Sequence, residues 1–144
     1  MNRRLMSGVA GLSALLVAGW AVFIREPAQI ATAPEEIGEA LVAVTLPANF
    51  TDTEQIGAQA FEAKCAACHG VNAAGRDGMG PPLVHVIYEP NHHGDQAFHL
   101  AVMNGVRSHH WPFRNMPAVE GLTTSDVDAI VAYVRALQRA NGIN

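Results

Sequence analysis

Both cysteines of the chain fall in one short stretch, Lys64 to Gly70, as Cys65-Ala66-Ala67-Cys68-His69. Residues three and four apart share one face of a helix, so two thiols and an imidazole would converge on a single object. Three readings are open at this level: a disulfide, a metal clamp, or the anchor of a large cofactor. The choice turns on whether the rest of the chain can fill a core by itself.

The 144 residues are 49% hydrophobic, enough for one domain and an appendage. The net charge of −4 contains no run of five like charges. There is no basic face for nucleic acid, which excludes that class of partner. Leu5 to Ile24 is twenty residues without a charge, between Arg3-Arg4 and Arg25-Glu26. That length spans a bilayer as one helix. Ala31-Thr32-Ala33 has the form of a processing site, but Pro34 follows it and the apolar stretch exceeds a signal sequence, so residues 1–25 read as an uncleaved single-pass anchor. The paired arginines belong on the cytoplasmic side, which sends the rest across the inner membrane into the periplasm. Residues 26–50, with Pro27, Pro34, Pro47 and acidic Glu35, Glu36 and Glu39, read as a linker, with a short helix compatible with 35–44. The folded domain is expected over 51–144.

Thr51-Asp52-Thr53-Glu54 has the form of a capping box, so a helix is predicted to run from there into the cysteines. A second is predicted over Asp95 to Asn104, stopped by Gly105, with His99 on its outer face. A last one carries Val127, Ile130, Val131, Val134 and Leu137 at helical spacing, capped by Thr124 or Ser125, with Arg135 and Arg139 suited to its final turns. No strand is expected, and the class is all-α. Gly70 to Gly94 and Val106 to Thr123 are too long for ordinary loops in so small a domain. A bound group must fill the middle. Cys-x-x-Cys-His is the pattern of covalent haem c attachment. A thioredoxin-like dithiol would need a βαβ setting, and structural zinc a second ligand pair at suitable spacing.

At this point the chain resembles the class I c-type cytochromes over most of Thr51 to Ala140. Gly57 and Phe61 precede the cysteines, and Tyr133 stands on the last helix, as in the contact where that family's first and last helices cross. Gly80-Pro81-Pro82-Leu83 is similar to its proline turn, and Asn115-Met116-Pro117-Ala118 to the loop that delivers its sixth ligand. The resemblance implies one haem c bound through Cys65 and Cys68, with His69 and Met116 as axial ligands and the Pro81 carbonyl holding the His69 ring. Met79 and Met103 are the competing thioethers. Leu83, Val102, Val119, Leu122, Val131 and Val134 are candidate haem contacts, with ordinary helix packing an equal alternative for each, and Arg76, Arg107 and Arg114 are candidates to line the haem side or pair with a propionate.

With both axial positions filled by protein, the implied function is one-electron transfer and not catalysis. The implied partners are membrane or periplasmic redox proteins: a quinol–cytochrome c reductase, a terminal oxidase or a dehydrogenase. Six histidines lie outside this pattern, among them His85, His109 and His110. His92, His93 and His99 form the most workable group for a second metal, copper or zinc, and His109 or His110 is an alternative iron ligand. These residues keep open a haem or copper sensor or copper-handling domain; a third reading, independent of them, is an electron-accepting subunit of a periplasmic dehydrogenase.

Overall fold

A computed structural model describes residues 38–144. The expected anchor and the start of the linker lie outside the described residues. Four α-helices follow in order: α1 (Asp52–Lys64), α2 (Ala66–His69), α3 (Asp95–Asn104) and α4 (Thr124–Ala140). Single 3-10 turns lie at Val71–Ala73 and Val86–Tyr88. Among the described residues the β pairing amounts to two isolated bridges, Arg76 with Gly80 and Val106 with Met116. No described helix is long and apolar enough to cross a membrane.

Helix α1 starts where its local chemistry dictates. The Thr51 hydroxyl accepts the Glu54 amide at 3.3 Å while the Glu54 carboxylate accepts the Thr51 amide at 2.8 Å. Helix α4 is capped by Thr123, one residue before Thr124 and two before Ser125, the expected positions. The reason lies three residues on: the Asp126 carboxylate accepts the Thr123 amide at 2.8 Å and completes a second capping box. Asp128, which would serve Ser125 in the same way, is instead engaged by His99.

Helices α1 and α4 cross at Gly57. A Cβ built there would stand 1.9 Å from the Ala129 carbonyl oxygen and 3.0 Å from Tyr133 Cβ. Only hydrogen fits. The close approach lets Phe61, 1% exposed, pack against Ile130, Val134 and Leu137, with its ring centre 5.7 Å from that of Tyr133. A mid-helix glycine normally gains about 1 kcal/mol on becoming alanine. Here the added methyl meets a backbone carbonyl, and overpacking costs about 1–3 kcal/mol. Gly57→Ala is therefore expected to lose roughly 1 kcal/mol net, read as a lower urea midpoint at unchanged slope. An unchanged or higher midpoint would contradict this crossing.

The linker expectation needs correction at its C-terminal end. Residues 38–50 have no helix, but they are fastened to the domain. The Leu41 and Val42 amides both donate to the Ala74 carbonyl at 3.1 Å, and Asp77 N–H donates to Glu39 O at 2.9 Å. Thr45 and the Asn141 side chain exchange two hydrogen bonds of 2.9 and 2.8 Å. Val44 and Phe50 pack on the core, with the Phe50 ring centre 5.4 Å from that of Tyr133. Scattered apolar residues without periodicity look like tether in sequence, yet they cover an existing core edge.

Arg135 does not sit at a solvated helix end. It is 7% exposed. Its guanidinium donates to Asp95 Oδ1 at 2.8 Å, to the carbonyls of Tyr88 at 2.7 Å and His93 at 2.6 Å, and to Gln138 Oε1 at 2.6 Å. It also lies 5.0 Å over the Phe98 ring. One side chain thus ties the start of α3 and the turn before it to α4.

Candidate functional site

The helices and the two long loops leave a cleft of about 990 Å³, partly open to solvent. Phe61 and Leu83, with Phe98 and Val102 of α3 and Val127 and Ile130 of α4, make its walls apolar. A space of this size cannot stay as apolar surface facing water without cost, so it fits a flat, largely apolar group.

The cysteine motif forms one wall. Cys65 is the joint between α1 and α2, its amide donating to Phe61 O at 2.7 Å and its carbonyl accepting from Cys68 and His69 at 3.1 and 2.9 Å. Its side chain lines the cleft, and burial, with Cys68 alongside, pushes its thiol up to about 11. As a free thiol it is protonated at neutral pH and a poor nucleophile. Cys68 is the more exposed of the two.

His69 also lines the cleft, with Nδ1 2.9 Å from the Pro81 carbonyl oxygen. Donation to that carbonyl leaves the Nε2 lone pair free to bind a metal. Burial holds the imidazole below its ordinary pKa against the opposing effect of that hydrogen bond. The ring is therefore neutral and oriented, the state a metal requires.

Met116 is the methionine that lines the cleft among the described residues; Met79 and Met103 are 39% and 70% exposed. Its backbone exchanges two 2.9 Å hydrogen bonds with Val106. Gly105, at φ +71°, lets the chain turn there, and a Cβ on it would stand 2.5 Å from the Met116 carbonyl oxygen. The glycine that stops α3 thus also sets the loop that presents Met116.

Of the other expected contacts, Leu83 and Val102 line the cleft, whereas Val131 and Val134 are buried and do not. Val119 and Leu122 do not line it. Arg114 lines it, but Arg76 donates to Ala67 O at 2.8 Å and Arg107 points into solvent. Sequence reasoning missed Tyr88, Trp111 and Phe113, which complete the walls. Two aromatics two residues apart in a polar loop were the available signal. Trp111 Nε1 is buried beside the Tyr88 side chain, without a well-formed hydrogen bond among the described residues. Two thiols, an oriented imidazole, a thioether and apolar walls together fit haem c.

The histidine expectation changes in one member. His99 is not on the outer face of α3: its Nε2 lies 2.9 Å from Asp128 of α4. His110 takes its place, and ligand atoms of His92, His93 and His110 lie within 4.8 Å of one another. Desolvation and the neighbouring His109, His93 and His92 hold His110 below the usual histidine range. His93, His109 and His110 line the cleft.

A family model described as cytochrome c matches residues 54–138. Proteins described as the cytochrome bc1 complex cytochrome c subunit, from Mycobacterium bovis and Mycobacterium tuberculosis, are 29% identical over 146 residues, covering 94% of this chain and 42% of each relative. The Mycobacterium leprae protein of that description is 29% identical over 140 residues, covering 90% and 38%. The chain thus spans about two fifths of the length of these relatives. No solved structure gives a significant match.

Proposed function

The chain belongs to the cytochrome c family, and from that premise we propose that it moves single electrons between redox proteins of a respiratory membrane, on the periplasmic side. It is an electron carrier and not an enzyme, and it carries one haem c bound through Cys65 and Cys68. The haem iron supplies the one-electron exchange. In our reading His69 and Met116 would hold the iron, and Pro81 is a positioning residue that fixes the His69 ring through Nδ1. The observation that carries this reading is that His69 and Met116 line the same apolar cleft while Met79 and Met103 do not. A thioether in the sixth position would favour ferrous iron and raise the potential. The apolar walls would exclude water around the iron and reduce the reorganisation that accompanies each electron.

The relatives are described as subunits of a bc1 complex, which supports a quinol-oxidising complex as electron donor and a terminal oxidase as acceptor. Residues 1–25 would hold the domain at the membrane. Such an anchor favours membrane-embedded partners.

The test is the absorption spectrum of the full chain, matured with haem, in both oxidation states. The expected spectrum is low-spin with a weak far-red iron–sulfur band. Met116→Ala is expected to remove that band and lower the reduction potential. A band that survives Met116→Ala, or a bis-imidazole spectrum in the unaltered chain, would reject Met116 as ligand.

A further inference from the structure

The electron-carrier reading leaves a group of histidines without a role. His92 and His93 are neighbours in sequence, and adjacent residues usually point apart. Here both their amides donate to the Glu89 carbonyl, at 3.0 and 2.8 Å. The turn this closes brings the two rings to the same side, stacked with centres 4.8 Å apart and planes at 15°. His110, from the loop between α3 and α4, meets both rings edge-on at 5.4 Å.

We propose that His92, His93 and His110 form a binding site for one divalent ion of the zinc and copper class, at the lip of the cleft. Their ligand atoms already lie within 4.8 Å of one another. Tetrahedral coordination at about 2.0–2.1 Å needs nitrogens about 3.4 Å apart, so each ring must move inward by less than about 1 Å. His92 and His110 are exposed and free to do so. His93 is already oriented: its Nδ1 donates to the Ile87 carbonyl at 2.6 Å, which leaves Nε2 for the ion. His109 stands in reserve for the fourth position, its ring centre 4.2 Å from that of His110 and its Nδ1 donating to Arg107 O at 2.8 Å. All these ligands are imidazoles, which suits zinc or copper and excludes calcium and magnesium, whose ligands are oxygens. An ion there would join the turn ending at His93 to the loop that leads on to Met116. The proposal rests on the histidines alone and does not depend on Met116 binding iron.

The test uses the full haem-loaded chain without a histidine tag, titrated separately with Zn²⁺ and Cu²⁺ against a chelator of known affinity. Uptake of one equivalent of at least one ion is expected, tighter than about 10 µM. His92→Gln and His110→Gln, both at exposed positions, should each weaken it at least about tenfold, and His99→Gln should leave it unchanged. Three results would overturn the site: no stoichiometric uptake of either ion, uptake unaffected by both variants, or uptake by the haem-free chain only. The last would mean that the haem engages these histidines itself.

Discussion

Replacing Cys65 and Cys68 together by serine is expected to abolish the covalent haem adduct and leave a chain without a cooperative unfolding transition. Serine cannot form the thioethers, so the cleft loses the group that fills it. The cleft lies between α1, α3 and α4, and five large apolar residues of those helices, Phe61, Phe98, Val102, Val127 and Ile130, line it. A cavity left behind in a core costs about 24 cal/mol per Å³. The part of the cleft that water could occupy, about 160 Å³, would cost about 4 kcal/mol, against a total stability of about 5–15 kcal/mol for an ordinary domain. Intact mass after denaturation reads the adduct, and thermal melting followed by circular dichroism reads the transition. A variant that keeps the covalent mass would refute attachment through these thiols. One that loses it yet melts cooperatively at the original temperature would refute the haem as part of the core.

The second large effect is expected at Arg135, where alanine should cost about 3–5 kcal/mol and lower the thermal midpoint accordingly. The ion pair with Asp95 contributes little of this, because the Asp95 side chain is 67% exposed and screened. The cost comes from the acceptors left behind. The Tyr88 carbonyl keeps the Gln138 amide as donor at 2.9 Å. The His93 carbonyl and Gln138 Oε1 lose the Arg135 bonds of 2.6 Å each. Two unsatisfied acceptors cost about 1–3 kcal/mol each, and the contact over Phe98 adds about 0.5–2 kcal/mol. Arg135→Lys should recover only a fraction, since an ammonium cannot reproduce the fork that serves four acceptors. Chemical denaturation of the haem-loaded variants measures both values. A loss below about 1 kcal/mol for Arg135→Ala would show that water satisfies those carbonyls and that the hub is not structural.

The features legible in the sequence are those set by short-range chemistry. A Thr-x-x-Glu pair writes its own helix start, and glycine writes the stop of α3. Two cysteines and a histidine within five residues give the haem c pattern, and the lack of a βαβ setting or a second ligand pair along the chain decides for it. The two overlong segments without periodicity rightly implied that something besides side chains fills the centre. Gly57 and Phe61 announced a crossing through the family resemblance, and the structure shows its physical reason: only hydrogen fits between Gly57 and the Ala129 carbonyl.

What the tertiary structure alone decided concerns groups whose partners are far along the chain. Arg135 carries the charge of a solvated helix end until α4 is seen against the turn at Tyr88 and His93. His99 looks outward on α3, and only the packing of α3 on α4 brings Asp128 to it, which frees the place that His110 takes. Residues 38–50 read as tether because their partners, Ala74, Asp77 and Asn141, are thirty to a hundred positions distant. Hydrophobic period and capping are properties of neighbours in sequence, whereas burial and hydrogen-bond pairing belong to neighbours in space. The haem motif and the Asn115-Met116-Pro117-Ala118 segment are patterns along the chain; that Met116 lines the cleft while Met79 and Met103 are exposed belongs to neighbours in space, because thioethers of equal chemistry differ in which of them reaches the cleft.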